Sequence, residues 1–312
     1  MTHPTEVAWS IAVFSSREKI PQLLKVIAAC QTACRTRSTT IDVIVNGNAG
    51  LAAEFRQAIA KQADASASAT VRVWHIALGD KAHAWNTYIR EIWPGGTITF
   101  FIDGYVEVRE DAFLKLEAAL TTHPHAKAAT GVDVMGRSAE KLAKFQIAIS
   151  GIHGNLYSLR QEAVLQVRDS GFQLPLGLYR TDPTLESCLK FNFDPATNAW
   201  DENRILVVTD VNWKRPVLSL WRYSDWFVHW RRMVRQAQGD VEQEALKTFW
   251  AVDNKRPSEL PKTAEELIRD WIGRFPGSWR RLVLANPLRL LAVKKACKPR
   301  DWTQAQIPPA LM

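Results

Sequence analysis

Four short polar stretches follow apolar runs in the first third of the chain: Ser15–Ser16–Arg17, Asn46–Gly47–Asn48, Gly79–Asp80–Lys81 and Asp103–Gly104–Tyr105. Open α/β sheets bind ligands beyond the carboxyl ends of their strands, so side chains at such positions are the ones placed to do chemistry. Polar loop ends occur in any α/β protein. Four in series, carrying hydroxyls, amides, an ammonium and a carboxylate, amount to a polar binding edge. The first loop, within FSSREK, has none of the glycines that let a backbone approach a dinucleotide pyrophosphate, and no GxxxxGK[ST] cradle occurs. Those absences argue against nicotinamide-dependent hydride transfer and P-loop nucleotide hydrolysis.

The elements that must hold these loops follow from the spacing of apolar residues. Strands are expected at Trp9–Phe14, Ile41–Val45, Val71–Ile76 and Thr97–Ile102, each nearly continuous in apolar residues, as in a parallel sheet covered on both faces. Helices are expected at Lys19–Cys30, Ala52–Gln62, Ala82–Ile92 and Glu110–Leu120, and in the first Ile20, Leu23, Leu24 and Ile27 form one buried stripe. Strands alternating with helices read as βαβ units. The second half, broken at Gly151–Gly154, Pro175–Gly177, Pro183 and Pro195, reads as loops serving an acceptor. Ala63–Thr70 reads as a small-residue linker.

Bulk composition agrees with a folded α/β chain. In 312 residues, 46% are hydrophobic and 23% charged, enough to bury a large core. Four cysteines (Cys30, Cys34, Cys188, Cys297) give neither a disulfide framework nor metal-ligand spacing, which suits a reducing, cytoplasmic compartment. No signal peptide is expected, nor any apolar run of the roughly 20 residues that span a bilayer. The net charge of +8 resides in the tail: Trp271–Arg300 holds eight basic residues and no acidic one, leaving 32 basic and 32 acidic residues elsewhere.

With those loops in order, Trp9 to about Phe113 resembles the nucleotide-sugar half of family 2 glycosyltransferases: SIAVFSSRE, IDVIVNGN, GDKAHAWN and FIDGYVEVREDAF. A looser likeness continues through GIHGNLYSLR, LPLGLYRTDPTL and WRRMVRQAQGD, about two thirds of the chain in all. The resemblance implies a GT-A fold: a Rossmann-like, mixed and mostly parallel sheet flanked by helices. The implied layout is a GT-A domain over 1–250 (donor half 1–125, acceptor half 126–250) and a basic helical extension over 251–312. The implied reaction is transfer of a sugar from a nucleotide sugar, such as a UDP-sugar, to a hydroxyl of a glycan, oligosaccharide or lipid-linked sugar, with inversion.

Carried over residue by residue, the resemblance puts Phe14, Ser15 and Arg17 at the base and ribose, Asn46 at the base edge, and Lys81 and Asn86 near the donor. The family's usual Asp-x-Asp reads here Asp103–Gly104–Tyr105, so one carboxylate is replaced by a phenol. Asp103 is the expected ligand of a divalent ion, Mn²⁺ or Mg²⁺, with His153 as a nitrogen ligand and Glu107 as a further carboxylate. Alternatively, His153 is a hydrogen-bonded structural residue.

Arg231, Arg232 and Arg235 carry planar forks suited to phosphate oxygens, or form a solvated basic face paired with Asp240, Glu242 and Glu244. Trp226, Trp230, Met233 and Ala237, at helical spacing, are expected as a buried stripe on the same helix. Trp85, Trp213 and Trp221 are candidate platforms for sugar rings, against the ordinary use of tryptophan in a core. Asp182, after LPLGLYR, is the candidate base that removes the acceptor proton. Before Pro183 it also reads as a helix N-cap, and Glu186, Asp194 and Asp210 stand in reserve.

Two helices are expected in the tail, Trp279–Ala285 and one begun by Asn286–Pro287, both mixing basic and apolar residues. The segment 271–300 is thus a candidate for an anionic membrane surface, peripheral at the inner face. A nucleic-acid partner is not expected, because the basic residues alternate with Leu282, Val283, Leu284, Leu288, Leu290, Leu291 and Val293, which favours a lipid surface. Rival readings are an inactive GT-A-like protein that binds a membrane or nucleic acid through this tail, and a sugar nucleotidyltransferase, whose first loop should carry glycine where FSSREK has none.

Overall fold

The computed structural model describes residues 7–61, 69–136, 139–216 and 223–312, the side chains of 223–225 excepted. Trp221 and most of the linker expected at Ala63–Thr70 lie outside the described residues. Two compact units are present: residues 1–169, 201–216 and 302–312 form the first, and 170–200 with 217–301 the second.

The first unit is built on an eight-stranded sheet. Its strands are β1 (Trp9–Ser15), β2 (Thr39–Asn46), β3 (Ala69–Ile76), β4 (Ile98–Asp103), β6 (Ala128–Thr130), β7 (Leu156–Arg160), β8 (Ile205–Val207) and β10 (Ala310–Leu311), in the order β10-β3-β2-β1-β4-β7-β6-β8. β1 to β4 pair in parallel, and β7 lies antiparallel between β4 and β6. β5 (Glu107–Val108) and β9 (Trp213–Lys214) form a separate antiparallel pair. The helices of this unit are α1 (Ile20–Ala33), α2 (Ala49–Ala60), α3 (Lys81–Thr87, continued by a π-helical turn Tyr88–Ile92), α4 (Ala112–Thr122), α5 (Ala139–Ala148) and α6 (Gln161–Asp169). The four expected strands and the helices after them are all present, with ends shifted by a few residues. Every residue of β1 and β2 is buried, as continuous apolar runs covered on both faces require.

Two aromatic clusters fix the sheet's coverings. Below one face, Trp9 packs edge to face on Phe100 and Phe113, which tilt against each other at 4.4 Å, and the Trp9 indole donates to Glu117 (2.9 Å). On the other, Phe101 stacks on Tyr157 at 4.7 Å and Trp85 stacks on Phe101 at 6.0 Å, while the Trp85 indole donates to the Tyr157 hydroxyl (2.8 Å). Trp85 and Trp213 are 3% and 1% exposed, which corrects their reading as sugar platforms: large rings with one polar handle are placed in the core, the handle satisfied.

The described α-helices of the second unit are α7 (Thr181–Lys190), α8 (Tyr223–Lys247, continued by a π-helical turn Thr248–Val252), α9 (Ala264–Arg274), α10 (Pro276–Ala285) and α11 (Leu288–Ala296). α11 packs its Leu288 and Ala292 against Val234 and Ala237 of α8. Trp271 is buried, and its indole donates to the Thr248 hydroxyl (3.0 Å). The two tail helices form close to the expected positions, Asn286 accepting from the Leu288 amide (3.1 Å). The stripe expected on α8 is buried only in part: Ala237 is 2% exposed, but Trp226, Trp230 and Met233 are 60%, 44% and 44% exposed. Helical periodicity identified the face; whether anything covers it depends on the neighbouring helix. Among the described residues no helix is long and apolar enough to cross a membrane.

Candidate functional site

The four polar loops lie at the carboxyl ends of β1, β2, β3 and β4, and short contacts stitch them together. Gly47 takes φ +70°, and a Cβ there would lie 2.4 Å from Gly79 Cα, so the second and third loops touch backbone to backbone. With its amide oriented to match its neighbours, Asn46 donates to the Ser15 carbonyl (2.9 Å) and accepts from the Asp80 amide (3.2 Å). The Asn48 carboxamide donates to the Ser16 carbonyl (3.0 Å), and its oxygen caps α2 by accepting from Leu51 N–H (3.0 Å). Asp80 caps α3 by accepting from His83 N–H (2.8 Å), which sets Lys81 at the first helical position.

The first loop is closed by a residue that the sequence reading overlooked. Glu18 accepts from the Ser15 hydroxyl (2.7 Å) and from the amides of Ser16 (2.8 Å) and Arg17 (3.1 Å). Burial raises its pKa, but these hydrogen bonds together outweigh burial and hold the carboxyl below its ordinary value. Asn46 likewise bridges two loops, a wider role than contacting a base edge. Phe14 is buried with its ring edge-on to Tyr88, Arg17 is exposed, and Asn86 is half-buried on α3.

At the centre of the edge stands Asp103. Lys81 Nζ donates to its Oδ1 (2.6 Å) and the Tyr105 hydroxyl donates to its Oδ2 (2.9 Å). Asn155, ahead of β7, donates from its carboxamide to Asp103 Oδ2 (3.2 Å) and to the Tyr105 oxygen (3.0 Å), while accepting from the Trp213 indole (3.1 Å). The phenol thus stands as a donor where a second carboxylate would repel Asp103 without a cation between them. Gly104 is required by packing, because a Cβ would fall 2.9 Å from the Phe14 carbonyl oxygen. His153 meets Trp213 at 4.9 Å between ring centroids, and its Nδ1 accepts from the Asn155 amide (3.2 Å). Glu107 accepts from the Gln22 carboxamide (3.0 Å). Asn155 completed the cluster unannounced, since only the pairing of β4 with β7 brings residues 50 apart into contact, and Trp213 entered as its hydrogen-bond donor instead of as a sugar platform.

The donor set suits one kind of metal ion. Among the described residues no three of His, Cys, Asp and Glu gather as a ready-made cage. Mg²⁺-like ions, however, bind through one or two carboxylates and fill the remaining positions with water and substrate phosphates. Asp103 fits an ion that arrives with a diphosphate, once Lys81 yields Oδ1.

The remaining candidates, Asp210 excepted, sit in the second unit. Asp182 is the second residue of α7, half-buried, and accepts from the Thr181 hydroxyl (3.0 Å). Its reading as an N-cap is corrected: the helix begins one residue earlier, and the neighbouring amides of Tyr179 and Arg180 donate instead to the buried carboxylate of Glu242 (3.1 and 2.8 Å). Arg231 and Arg232 are exposed and Arg235 half-buried on α8. The carboxylates proposed to pair with them are engaged elsewhere: Asp240 with Arg289 (2.8 Å), Glu244 with Lys247 (2.8 Å), and Glu242 as above. Of the reserve bases, Glu186 is neutralised by buried Lys190 (2.7 Å) and Asp210 pairs with Lys115 (2.8 Å).

A mostly parallel sheet with one antiparallel insertion, polar loops at its carboxyl edge and an acidic residue ending the fourth strand define the GT-A glycosyltransferase fold. Solved structures bear this out. A mannosyltransferase from Pyrobaculum calidifontis, PcManGT, solved with GDP-Man and Mn²⁺, matches with TM-score 0.57 at 15% identity over 94% of this chain and 85% of that one. S. aureus TarS 1–349 matches at 0.53 and 12% over 90% and 76%. Glucosyl-3-phosphoglycerate synthase from Mycobacterium tuberculosis, solved with Mn²⁺, UDP-Glc and phosphoglyceric acid, matches at 0.51 and 13% over 78% and 79%. No family model matches the chain, and no curated protein matches its sequence.

Proposed function

We propose that the protein is an inverting glycosyltransferase that moves a sugar from a nucleotide sugar, such as a UDP-sugar, to an acceptor hydroxyl on a glycan, oligosaccharide or lipid-linked sugar. The observation that carries this reading is the cluster Lys81–Asp103–Tyr105–Asn155 at the mouth of four stitched loops on a GT-A sheet. Two of the similar folds were solved with GDP-Man and with UDP-Glc, which supports a nucleotide-sugar donor.

In this reading Phe14, Ser15, Arg17 and Asn46 hold the nucleoside, and Lys81, with Asn86 beside it, meets the diphosphate. Arg231, Arg232 and Arg235 are further candidates for phosphate contact. A divalent ion, Mn²⁺ or Mg²⁺, would be held by Asp103, with His153 as a candidate second ligand, and would supply charge neutralisation for the leaving diphosphate. The acceptor oxygen attacks the anomeric carbon while the bond from that carbon to the phosphate oxygen breaks. The hydroxyl proton passes to the Asp182 carboxylate, and the negative charge leaves with the nucleoside diphosphate. The proposed location is cytoplasmic, with residues 271–300 against the inner, anionic face of a membrane.

Calorimetry with nucleoside diphosphates, with and without Mn²⁺ or Mg²⁺, tests the donor reading. Binding is expected in the micromolar to millimolar range, and Lys81→Met should weaken it by about tenfold or more, the worth of one charge-assisted hydrogen bond. If no nucleoside diphosphate binds at millimolar concentration with any ion, the enzyme reading fails. Asp103→Ala tests the metal separately: ion-dependent binding that survives it removes Asp103 as the ligand.

A further inference from the structure

Between Trp226 and Met233, α8 presents large apolar side chains to solvent. Trp226 is 60% exposed, Phe227 62%, Val228 42%, Trp230 44% and Met233 44%. The second half of the helix behaves otherwise: Val234 and Ala237 pack on Ala292 and Leu288 of α11, and Val241, Ala245 and Leu246 are buried. Trp226, Trp230, Met233 and Ala237 recur at helical spacing, so one apolar stripe passes from a buried end at Ala237 to largely exposed residues. Five large apolar residues exposed within about two turns are more than the scattered hydrophobics of an ordinary surface.

Charge indicates what covers this face. Arg231 and Arg232 are exposed beside it, and no acidic residue occurs between Trp226 and Gly239. In the same unit α10 and α11 expose Leu284 (82%), Leu290 (58%) and Leu291 (44%), with Arg280, Arg281, Lys294 and Lys295 also exposed. Arg274 and Arg289, by contrast, are engaged with Asp253 and Asp240. Tryptophan rings prefer the headgroup level of a bilayer, and arginine forks match phosphate oxygens. A second copy of the chain is disfavoured, because a two-fold contact on this face would set the same arginines against each other.

We propose that the amino-terminal half of α8 is an interfacial helix that docks on an anionic phospholipid bilayer. Trp226, Phe227, Trp230 and Met233 enter the boundary between headgroups and acyl chains, while Arg231 and Arg232 meet lipid phosphates. Helices of this composition lie in the interface plane. The proposal goes beyond the donor chemistry, and beyond the tail as the membrane-facing element, since here the aromatic turns of α8 enter the lipid and the basic tail adds only charge.

The test uses the full chain with vesicles of phosphatidylcholine alone or mixed with phosphatidylglycerol. Wild-type protein should co-sediment with the mixed vesicles, less so as salt rises, and brominated lipid should quench its tryptophan fluorescence. Trp226→Ser with Trp230→Ser should cut partition by about tenfold or more and abolish most of the quenching, with melting and nucleotide binding unchanged. Arg231→Gln with Arg232→Gln should weaken the salt-dependent part of vesicle binding. Undiminished partition in the tryptophan variant would overturn the proposal; if Lys294→Gln with Lys295→Gln then abolishes it, the tail alone is the lipid contact. Self-association of the wild type that the tryptophan variant loses, with no vesicle binding, would likewise overturn it and assign the face to a second copy. Failure of nucleotide binding, measured independently, would leave this result standing.

Discussion

Asp182 shows how one side chain's surroundings sharpen its test. As an N-cap its loss would cost about 1 kcal/mol, which would blur any catalytic effect. The structure assigns the backbone donors of that turn to Glu242 and leaves Asp182 with a neighbouring hydroxyl. Asp182→Asn should therefore leave melting and donor binding near those of the wild type while lowering the transfer rate by about 10²–10⁴-fold, the usual worth of a general base. Steady-state kinetics beside a thermal melt makes the comparison. Near-normal turnover would rule Asp182 out and turn attention to Asp194, since the other two reserve carboxylates already hold lysines.

The loop after β2 belongs to the scale of elements, because its geometry depends on the strand next door. β2 and β3 are in parallel register to Asn46 and Ile76, and the Gly47 amide donates to the Ile76 carbonyl (2.8 Å). A left-handed φ at Gly47 and a Cβ contact of 2.4 Å to Gly79 backbone act together. Gly47→Ala should cost at least about 2 kcal/mol, combining left-handed strain with overpacking, and should weaken nucleotide binding by disturbing Asn46 and Lys81 together. Gly50→Ala is the control, since that position lies within α2 and meets only the Asn48 side chain at 3.7 Å. Equal melting temperatures for the two variants would mean that the loop contact contributes nothing.

At the scale of the molecule, buried carboxyls pull the pH dependence of stability in opposite directions. Burial pushes Glu242 above its ordinary value against the opposing hydrogen bonds from Gln238, Tyr179 and Arg180, and Asp42 is raised in the same sense despite its ion pair with Arg72. Groups with raised native values contribute stability that is present in acid and lost as pH rises through those values. Glu18 is lowered, so its contribution is present at neutral pH and lost as pH falls through its depressed value. Glu242→Gln keeps one acceptor oxygen, which can take the place of the Oε2 that the Tyr179 (3.1 Å) and Arg180 (2.8 Å) amides share, but it cannot ionise. Denaturant titrations from weakly acidic to neutral pH should give that variant a smaller loss of stability with rising pH than the wild type; identical slopes would mean that Glu242 is not raised.

The sequence by itself determined the sheet and its polar edge. Continuous apolar runs such as Ile41–Val45 must be covered on both faces, and the chain must turn with polar residues at their ends, so period and composition sufficed to find the strands and the loops from Ser15 to Tyr105. Local spacing also found both tail helices. What only the tertiary structure decided is which of those residues meet. Asn155 reaches Asp103 through the pairing of β4 with β7, and Trp213, on the β5–β9 pair, donates to Asn155; no local pattern encodes either register. The fate of the tryptophans was undecided for the same reason: periodicity aligned Trp226, Trp230 and Ala237 on one face, but burial depends on how distant segments pack, so Ala237 is 2% exposed and Trp226 60%. Hydrophobic pattern specifies a face, and the partner that covers it is fixed only when distant segments pack.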